Sequence, residues 1–170
     1  MDEAKQLEKE LSVIGSKLVY VTKNPVDQIR STDRPTRPSE PIKIHPIQYA
    51  GKTVKSKLNE LRKACQNNNV IVSALDEIAW LLNLRGSDIH CSPVFFSYVV
   101  VTPQHAILYL QPSAVLSEQV KSQLKEADVQ LANYDQVLSD LSNLNQPFLI
   151  DPSTINMSIC QAIGKVNIYI

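Results

Sequence analysis

Apolar residues recur along the chain in two kinds of spacing. In residues 2–17, 52–67, 75–85, 117–124, 133–144 and 153–164 they repeat at helical intervals. Short apolar runs, which are typical of strands, occupy residues 17–21, 70–73, 94–101, 106–110, 129–131, 148–150 and 166–170. From residue 52 onward helices alternate with strands, and a tight turn over residues 102–105 joins two of the strands as a hairpin. The pattern predicts an α/β fold in which a mixed sheet of about six strands carries helices on both faces.

The stretch from residue 75 to residue 88, with the sequence LDEIAWLLNLRGSD, predicts a short helix with one buried face. Ser73 and Asp76 have the spacing of a capping box, which places the helix start just after Ser73. Gly86 is expected to end the helix, because glycine adopts the left-handed conformation without strain. The bulk of Trp80 predicts that its side chain lies in the core.

Residues 22–50 have a different composition. Five prolines, at positions 25, 35, 38, 41 and 46, fall within 22 residues and are interleaved with three arginines. Proline fixes φ and lacks a backbone donor, so neither a helix nor a central strand is expected to run through this stretch. We therefore expect residues 1–50 to hold the remnant of a preceding domain and an ordered or semi-rigid interdomain linker, and residues 51–170 to form the compact domain.

Charge and cysteine content narrow the possible classes of protein. Lys+Arg and Asp+Glu balance at 17 each, which gives no argument for a nucleic-acid partner. No apolar run approaches the roughly 18–20 residues of a membrane span, and the acidic start does not resemble a signal peptide. The three cysteines are widely spaced and include no Cys-x-x-Cys pair. This favours reduced thiols and a cytoplasmic location over a disulfide framework or a zinc site.

Few residues of the chain suggest a catalytic or metal-binding role. His45, His90 and His105 fall in separate predicted loops, and the chain has no His-x-x-x-His or Glu-x-x-His pair. A two-metal hydrolase needs several carboxylates and usually a histidine that converge, so no catalytic or metal-ligating residue is assigned. His90 and Cys91 could form a base and nucleophile of an independent hydrolase, but adjacent residues on an extended loop point apart. A loop histidine beside a partly buried cysteine is the simpler interpretation.

The run LDEIAWLLNLRGSD (75–88), followed by PVFFSY (93–98), closely resembles the middle domain of eukaryotic-type Xaa-Pro aminopeptidases (aminopeptidase P). Residues 26–29 (VDQI) and 33–38 (DRPTRP) resemble the linker between the first two domains of that family. The resemblance implies a creatinase-N-terminal-like fold within a three-domain enzyme that removes an N-terminal residue when proline is second. It also implies a C-terminal pita-bread domain holding two divalent ions, usually manganese. No position of this chain matches the metal ligands of that domain, which we expect to lie outside it.

Two functions remain open from the sequence. The first is the non-catalytic middle domain of such an enzyme, which would cover the active site, restrict substrate length and support a homodimer. Its partners would be the other domains and proline-containing peptides, with no nucleic acid and no membrane. The second is a stand-alone protein-binding module that kept the fold and lost peptidase activity.

Two residues of the stretch 75–88 are candidates for the substrate-pocket wall in the first function. Arg85 and Asp88 lie on a loop that would face the catalytic domain. Their structural alternative is that Arg85 complements the C-terminus of the helix and pairs with Asp88 across the turn.

Overall fold

The computed structural model describes residues 2–21, 24–30, 32–144 and 147–164. Its elements in chain order are α1 (Asp2–Val13), α2 (Pro25–Ile29), β1 (Lys43–Ile44), α3 (Ile47–Ala50), α4 (Val54–Ala64), β2 (Asn69–Val72), α5 (Leu75–Leu81), β3 (Leu84–Arg85), β4 (Ser97–Val101), β5 (Ala106–Leu110), α6 (Glu118–Glu126), β6 (Val129–Asn133), a 3-10 turn (Tyr134–Gln136), α7 (Val137–Asn143), β7 (Phe148–Leu149) and α8 (Met157–Ile163).

Five strands form one mixed sheet in the order β6-β5-β4-β2-β7. The strands β4 and β5 form the predicted antiparallel hairpin, and β2 pairs antiparallel with β4. The outer pairs, β2 with β7 and β5 with β6, are parallel. The predicted α/β fold with a mixed sheet is confirmed. A further predicted strand, at residues 166–170, lies outside the described residues.

The sheet is covered on both faces because successive strand residues point to opposite sides. Along β4, Val99 and Val101 enter a core cluster built with α4, α5 and α6, while Val100 enters a second cluster with α7 and α8. Each fully buried side chain of this kind contributes about 1.5–3 kcal/mol to folding. The two clusters therefore fix the helices on the sheet and position the turns between them.

The N-terminal segment lies apart from this core. The helix α1 forms where the apolar spacing predicts it, but the predicted strand at residues 17–21 is wrong. Those residues have no strand partner in the described part of the chain, and the side chain of Val19 is 74% exposed. Strand propensity reflects packing on a half-buried sheet, and these side chains reach no such surface.

Some of the predicted helix ends are correct and others are wrong. Ser117 caps α6 through its side chain, and Gly164, at φ 74°, ends α8, both as predicted. The α8 cap is Asn156 rather than Ser153 or Thr154. The strand predicted from residue 94 begins at Ser97.

The predicted cap of α5 is also wrong. Ser73 lies one residue too early to cap this helix, because Ala74 occupies the N-cap position. The Ser73 hydroxyl donates instead to the carbonyl oxygen of Thr154, at 3.2 Å.

Candidate functional site

The residues for which the sequence suggested a function follow α5. Arg85 lies in strand β3, where it pairs with β1, so its predicted place on a loop is wrong, while Asp88 lies in the turn after that strand. The helix ends at Leu81, and Asn83 adopts the left-handed conformation at φ 52°, a role that the sequence analysis gave to Gly86. Asparagine tolerates this conformation better than most residues, which makes it a frequent helix terminator. Gly86 is needed for another reason: a Cβ there would lie 2.7 Å from the Cβ of Phe95.

Three side chains satisfy carbonyl groups at the C-terminal end of α5. Arg85 Nη1 donates to the carbonyl oxygen of Ala79 at 3.0 Å and to that of Leu84 at 2.8 Å. Lys57 Nζ donates to the Trp80 carbonyl oxygen at 2.8 Å, and Gln123 Nε2 donates to that of Leu82 at 3.0 Å. The last carbonyls of a helix lack partners within the helix, and basic groups also favour its negative end. The predicted complementation of this helix end by Arg85 is therefore present.

Lys57 is a buried cation in this cluster, with 3% of the residue exposed. Its Nζ also donates to Asn83 Oδ1 at 2.8 Å, and the Asn83 amide nitrogen donates to the Lys52 carbonyl oxygen. Burial lowers the pKa of Lys57, and the nearby charges of Arg85 and Lys52 lower it further. No local sequence pattern marks this lysine, because its partners lie more than 20 positions away.

The carboxylate of Asp88 accepts hydrogen bonds from two backbone amides. Oδ1 accepts from the N–H of Glu40 at 2.9 Å, and Oδ2 accepts from the N–H of Phe96 at 2.8 Å. In the described part of the chain Arg85 and Asp88 form no ion pair with each other, so the predicted pair is wrong. Each side chain has its own backbone partners, which compete successfully with a pairing across the turn.

The proline-rich segment is held against the domain beside Asp88. After the Glu40 contact, the Ile42 N–H donates to the Val115 carbonyl oxygen at 3.1 Å. Next, β1 pairs antiparallel with β3, and the His45 N–H donates to the Asn83 carbonyl oxygen at 2.7 Å. Residues 40–45 therefore follow a fixed path along the domain surface.

Trp80 is on the surface, contrary to the sequence prediction. It is 57% exposed, because the buried positions of α5 are taken by Ile78, Ala79 and Leu81. Lys57 Nζ lies 4.1 Å from the centroid of the indole ring. This distance is well within the range of a cation–π interaction, which stabilises the ring in this orientation.

His90 and Cys91 lie in a tight turn between Ile89 and Ser92, with Cys91 at φ 60°. Both residues are exposed, so the prediction that Cys91 is partly buried is wrong. Within residues 2–21, 24–30, 32–144 and 147–164, no group of three or more His, Cys, Asp or Glu side chains is placed to hold a metal ion. The described donors therefore do not fit a two-metal centre. In the same residues, no helix combines the length and apolarity that crossing a bilayer requires.

Comparison with known proteins gives the family. The family model of the Creatinase/Prolidase N-terminal domain matches residues 33–170. The chain belongs to this family. Among curated relatives of this creatinase/prolidase N-terminal domain, a probable Xaa-Pro aminopeptidase P of Talaromyces stipitatus is 48% identical over 145 residues, which is 84% of this chain and 22% of the relative. Aminopeptidase P2 of Arabidopsis thaliana is 41% identical over 165 residues, which is 93% of this chain and 23% of the relative.

A solved structure extends the likeness to three dimensions. The X-prolyl aminopeptidase of Caenorhabditis elegans, described as a cytosolic enzyme with a di-nuclear active site, matches with a TM-score of 0.87 and 27% identity. The match covers 96% of this chain and 28% of that one. The creatinase/prolidase N-terminal domain described here thus spans about a quarter of the length of the curated relatives it matches.

Proposed function

We propose that this chain works as a non-catalytic domain of a longer, metal-dependent Xaa-Pro aminopeptidase. The observation that carries the proposal is the likeness to aminopeptidase P proteins along 84–93% of the chain, together with the structural likeness to an X-prolyl aminopeptidase along 96% of it. The parent enzyme would remove N-terminal residues that precede proline. In this proposal residues 1–50 carry the remnant of a preceding domain and its linker, and residues 51–170 form the domain itself.

The work of this domain would be to cover the active site of the catalytic domain, restrict substrate length and support assembly, including a homodimer. Closing a site orients the substrate and excludes water, so a covering domain affects the rate without contributing a reacting group. Its partners would be the other domains of the parent, and proline-containing peptides would be the substrates. A cytoplasmic location belongs to the same proposal.

The chemistry of the parent would come from two divalent ions, which we propose to be manganese, bound outside residues 1–170. Such ions activate a water molecule and polarise the scissile carbonyl group. Because the described donors of this chain do not fit such a centre, no step of the reaction is assigned to its side chains.

Arg85 and Asp88 would contribute to the wall of the substrate pocket in the parent. Their side chains already bind backbone groups of this domain, so the wall would be formed by the shape of the turn rather than by free charges. In the longer enzyme, shortening Arg85 to alanine should change KM for long peptides more than for a short Xaa-Pro substrate. An equal effect on KM for both substrates would show that Arg85 has only a structural role.

The proposal is tested first with the purified 170-residue chain. The experiment incubates it with manganese and a peptide that has proline in second position, and follows release of the N-terminal residue. A longer Xaa-Pro aminopeptidase under the same conditions is the positive control. We expect no release by this chain, and metal-dependent release by it would overturn the proposal.

A second candidate is a stand-alone protein-binding module. The exposed ring of Trp80 favours it, because large aromatic side chains are enriched at protein interfaces. A natural polypeptide of 19.0 kDa would favour this second candidate over the first.

A further inference from the structure

A cleft of about 470 Å³ opens on the surface between α4 and α5. Its apolar lining comes from Leu61, Val72, Trp80 and Leu81. Trp80 presents the largest exposed apolar surface in this cleft, and Lys57 Nζ lies 4.1 Å from the centroid of its ring. A tryptophan side chain has only two rotatable bonds and so loses little conformational entropy on binding, which makes it a favourable anchor for a partner.

The accessible charge of the cleft is negative. Lys57 lines it, but its Nζ donates to the Trp80 carbonyl oxygen and to Asn83 Oδ1, so its charge is solvated from within the domain. Glu60 is neutralised by Lys52, whose Nζ lies 2.7 Å from Glu60 Oε2. Among the described residues, Glu77 has no such cation.

Other carboxylates strengthen the negative potential around Glu77. Burial raises the pKa of Glu77, and the neighbouring charges of Asp76 and Asp151 raise it further. Glu77 is an exposed residue, and a carboxylate beside two like charges is stabilised by a cation that comes from outside. Apolar surface and uncompensated negative charge therefore meet at one place.

We propose that this cleft is a docking site for a partner protein segment in which an arginine or lysine is flanked by apolar residues. The aliphatic stem of the basic side chain packs on the Trp80 ring, and its head group pairs with Glu77. Long basic side chains cover apolar surface with their stems while the charge stays at the rim, which suits a cleft built in this way. The inference stands whether or not the chain is part of an aminopeptidase.

Trp80 is the single tryptophan of the chain, so its fluorescence reports on the cleft directly. The probe is the peptide acetyl-Leu-Arg-Leu-amide, and the matched control peptide carries citrulline, which has nearly the same shape and no charge. Titration of the 170-residue chain should give a saturable emission change with the arginine peptide. We expect about two- to fivefold weaker binding of the citrulline peptide, since a single exposed ion pair separates the two.

Two variants test whether Glu77 supplies the negative charge that the arginine peptide recognises. Glu77→Gln should reduce binding of the arginine peptide to the level of the citrulline peptide. Glu118→Gln, on the exposed face of α6, should leave it unchanged. Circular dichroism verifies that both variants are folded.

Three results would overturn the proposal. These are equal binding of the two peptides, full binding by the Glu77→Gln variant, and an emission change that depends on protein concentration alone. The last result, combined with a doubled mass in light scattering, would identify the occupant as a second copy of the chain.

Discussion

At the scale of single residues, Trp80 and Phe95 differ sharply in burial although both flank the turn after α5. Phe95 is 1% exposed and Trp80 is 57% exposed. The bulk of Trp80 suggested a core position, but a helix buries one face only, and Trp80 lies on the other. Its contact with Lys57 gives the ring a fixed position without a place in the core.

The stabilities of two alanine variants follow from this difference. Trp80→Ala should lower the free energy of unfolding by no more than about 1 kcal/mol, since no cavity is formed. Phe95→Ala should lower it by about 3–5 kcal/mol through cavity formation. Urea denaturation measures both. A loss of the larger size in Trp80→Ala would show that the ring is packed as core.

Lys57 should make the stability of the domain depend on alkaline pH. Its pKa in the folded state lies below the ordinary value of 10.5, because of burial first and then of Arg85 and Lys52. Between the folded and unfolded pKa values the unfolded chain binds more protons, so the free energy of unfolding rises with pH in that window. In Lys57→Met this rise should disappear.

Urea denaturation at pH 7 and at pH 9.5 measures the slope for wild type and variant. Lys57→Met also removes the donor to Asn83 Oδ1, while the Trp80 carbonyl oxygen keeps a backbone N–H partner, so the variant should be less stable at pH 7 by about 1–3 kcal/mol. The control is Lys55→Met, which removes an exposed lysine of the same helix and should keep the wild-type slope. Identical slopes in all three proteins would contradict the account of Lys57.

At the scale of elements, Asp88 joins three segments: the proline-rich segment at Glu40, the turn that carries Asp88 itself, and Phe96, the residue before β4. Its two carboxylate oxygens accept hydrogen bonds from the backbone N–H groups of Glu40 and Phe96. The pairing of β1 with β3 continues the same attachment. The geometry therefore makes Asp88 a clamp on the path of the proline-rich segment.

Asp88→Asn tests this clamp. The asparagine oxygen accepts from one amide only, and its NH2 group faces the other donor. We expect faster hydrogen exchange at the amide of Glu40 or Phe96, and a loss of stability of about 1–3 kcal/mol. The exposed Asp76→Asn serves as the control and should leave both amides unchanged. Unchanged exchange at both amides in Asp88→Asn would rule out the clamp.

At the scale of the whole molecule, the features that could be predicted from the sequence are those that depend on residues close together in the chain. The apolar runs at residues 70–73 and 94–101, with helices between the strands, predicted a sheet covered on both faces, and Ser117 and Gly164 marked helix ends correctly. Each of these signals acts within one element, where spacing alone decides which side is buried.

The rest depends on contacts between distant residues. Ser73 donates to a carbonyl 81 residues away, and Asp88 accepts from an amide 48 residues away. Lys57 meets Asn83 at a separation of 26 residues. Spacing carries no information about such partners, so the contacts of Lys57 and Asp88 were not predicted, whereas the contact of Arg85 with the nearby end of α5 was.

The central claim is that this domain of the creatinase/prolidase N-terminal family works inside a longer Xaa-Pro aminopeptidase. The most direct measurement is the mass of the natural polypeptide in its source cell, by a denaturing blot with an antibody against residues 70–100. The account predicts a band several times larger than 19.0 kDa, since the chain spans about a quarter of its curated relatives. A single band at 19.0 kDa would contradict it and make the protein-binding module the function to pursue.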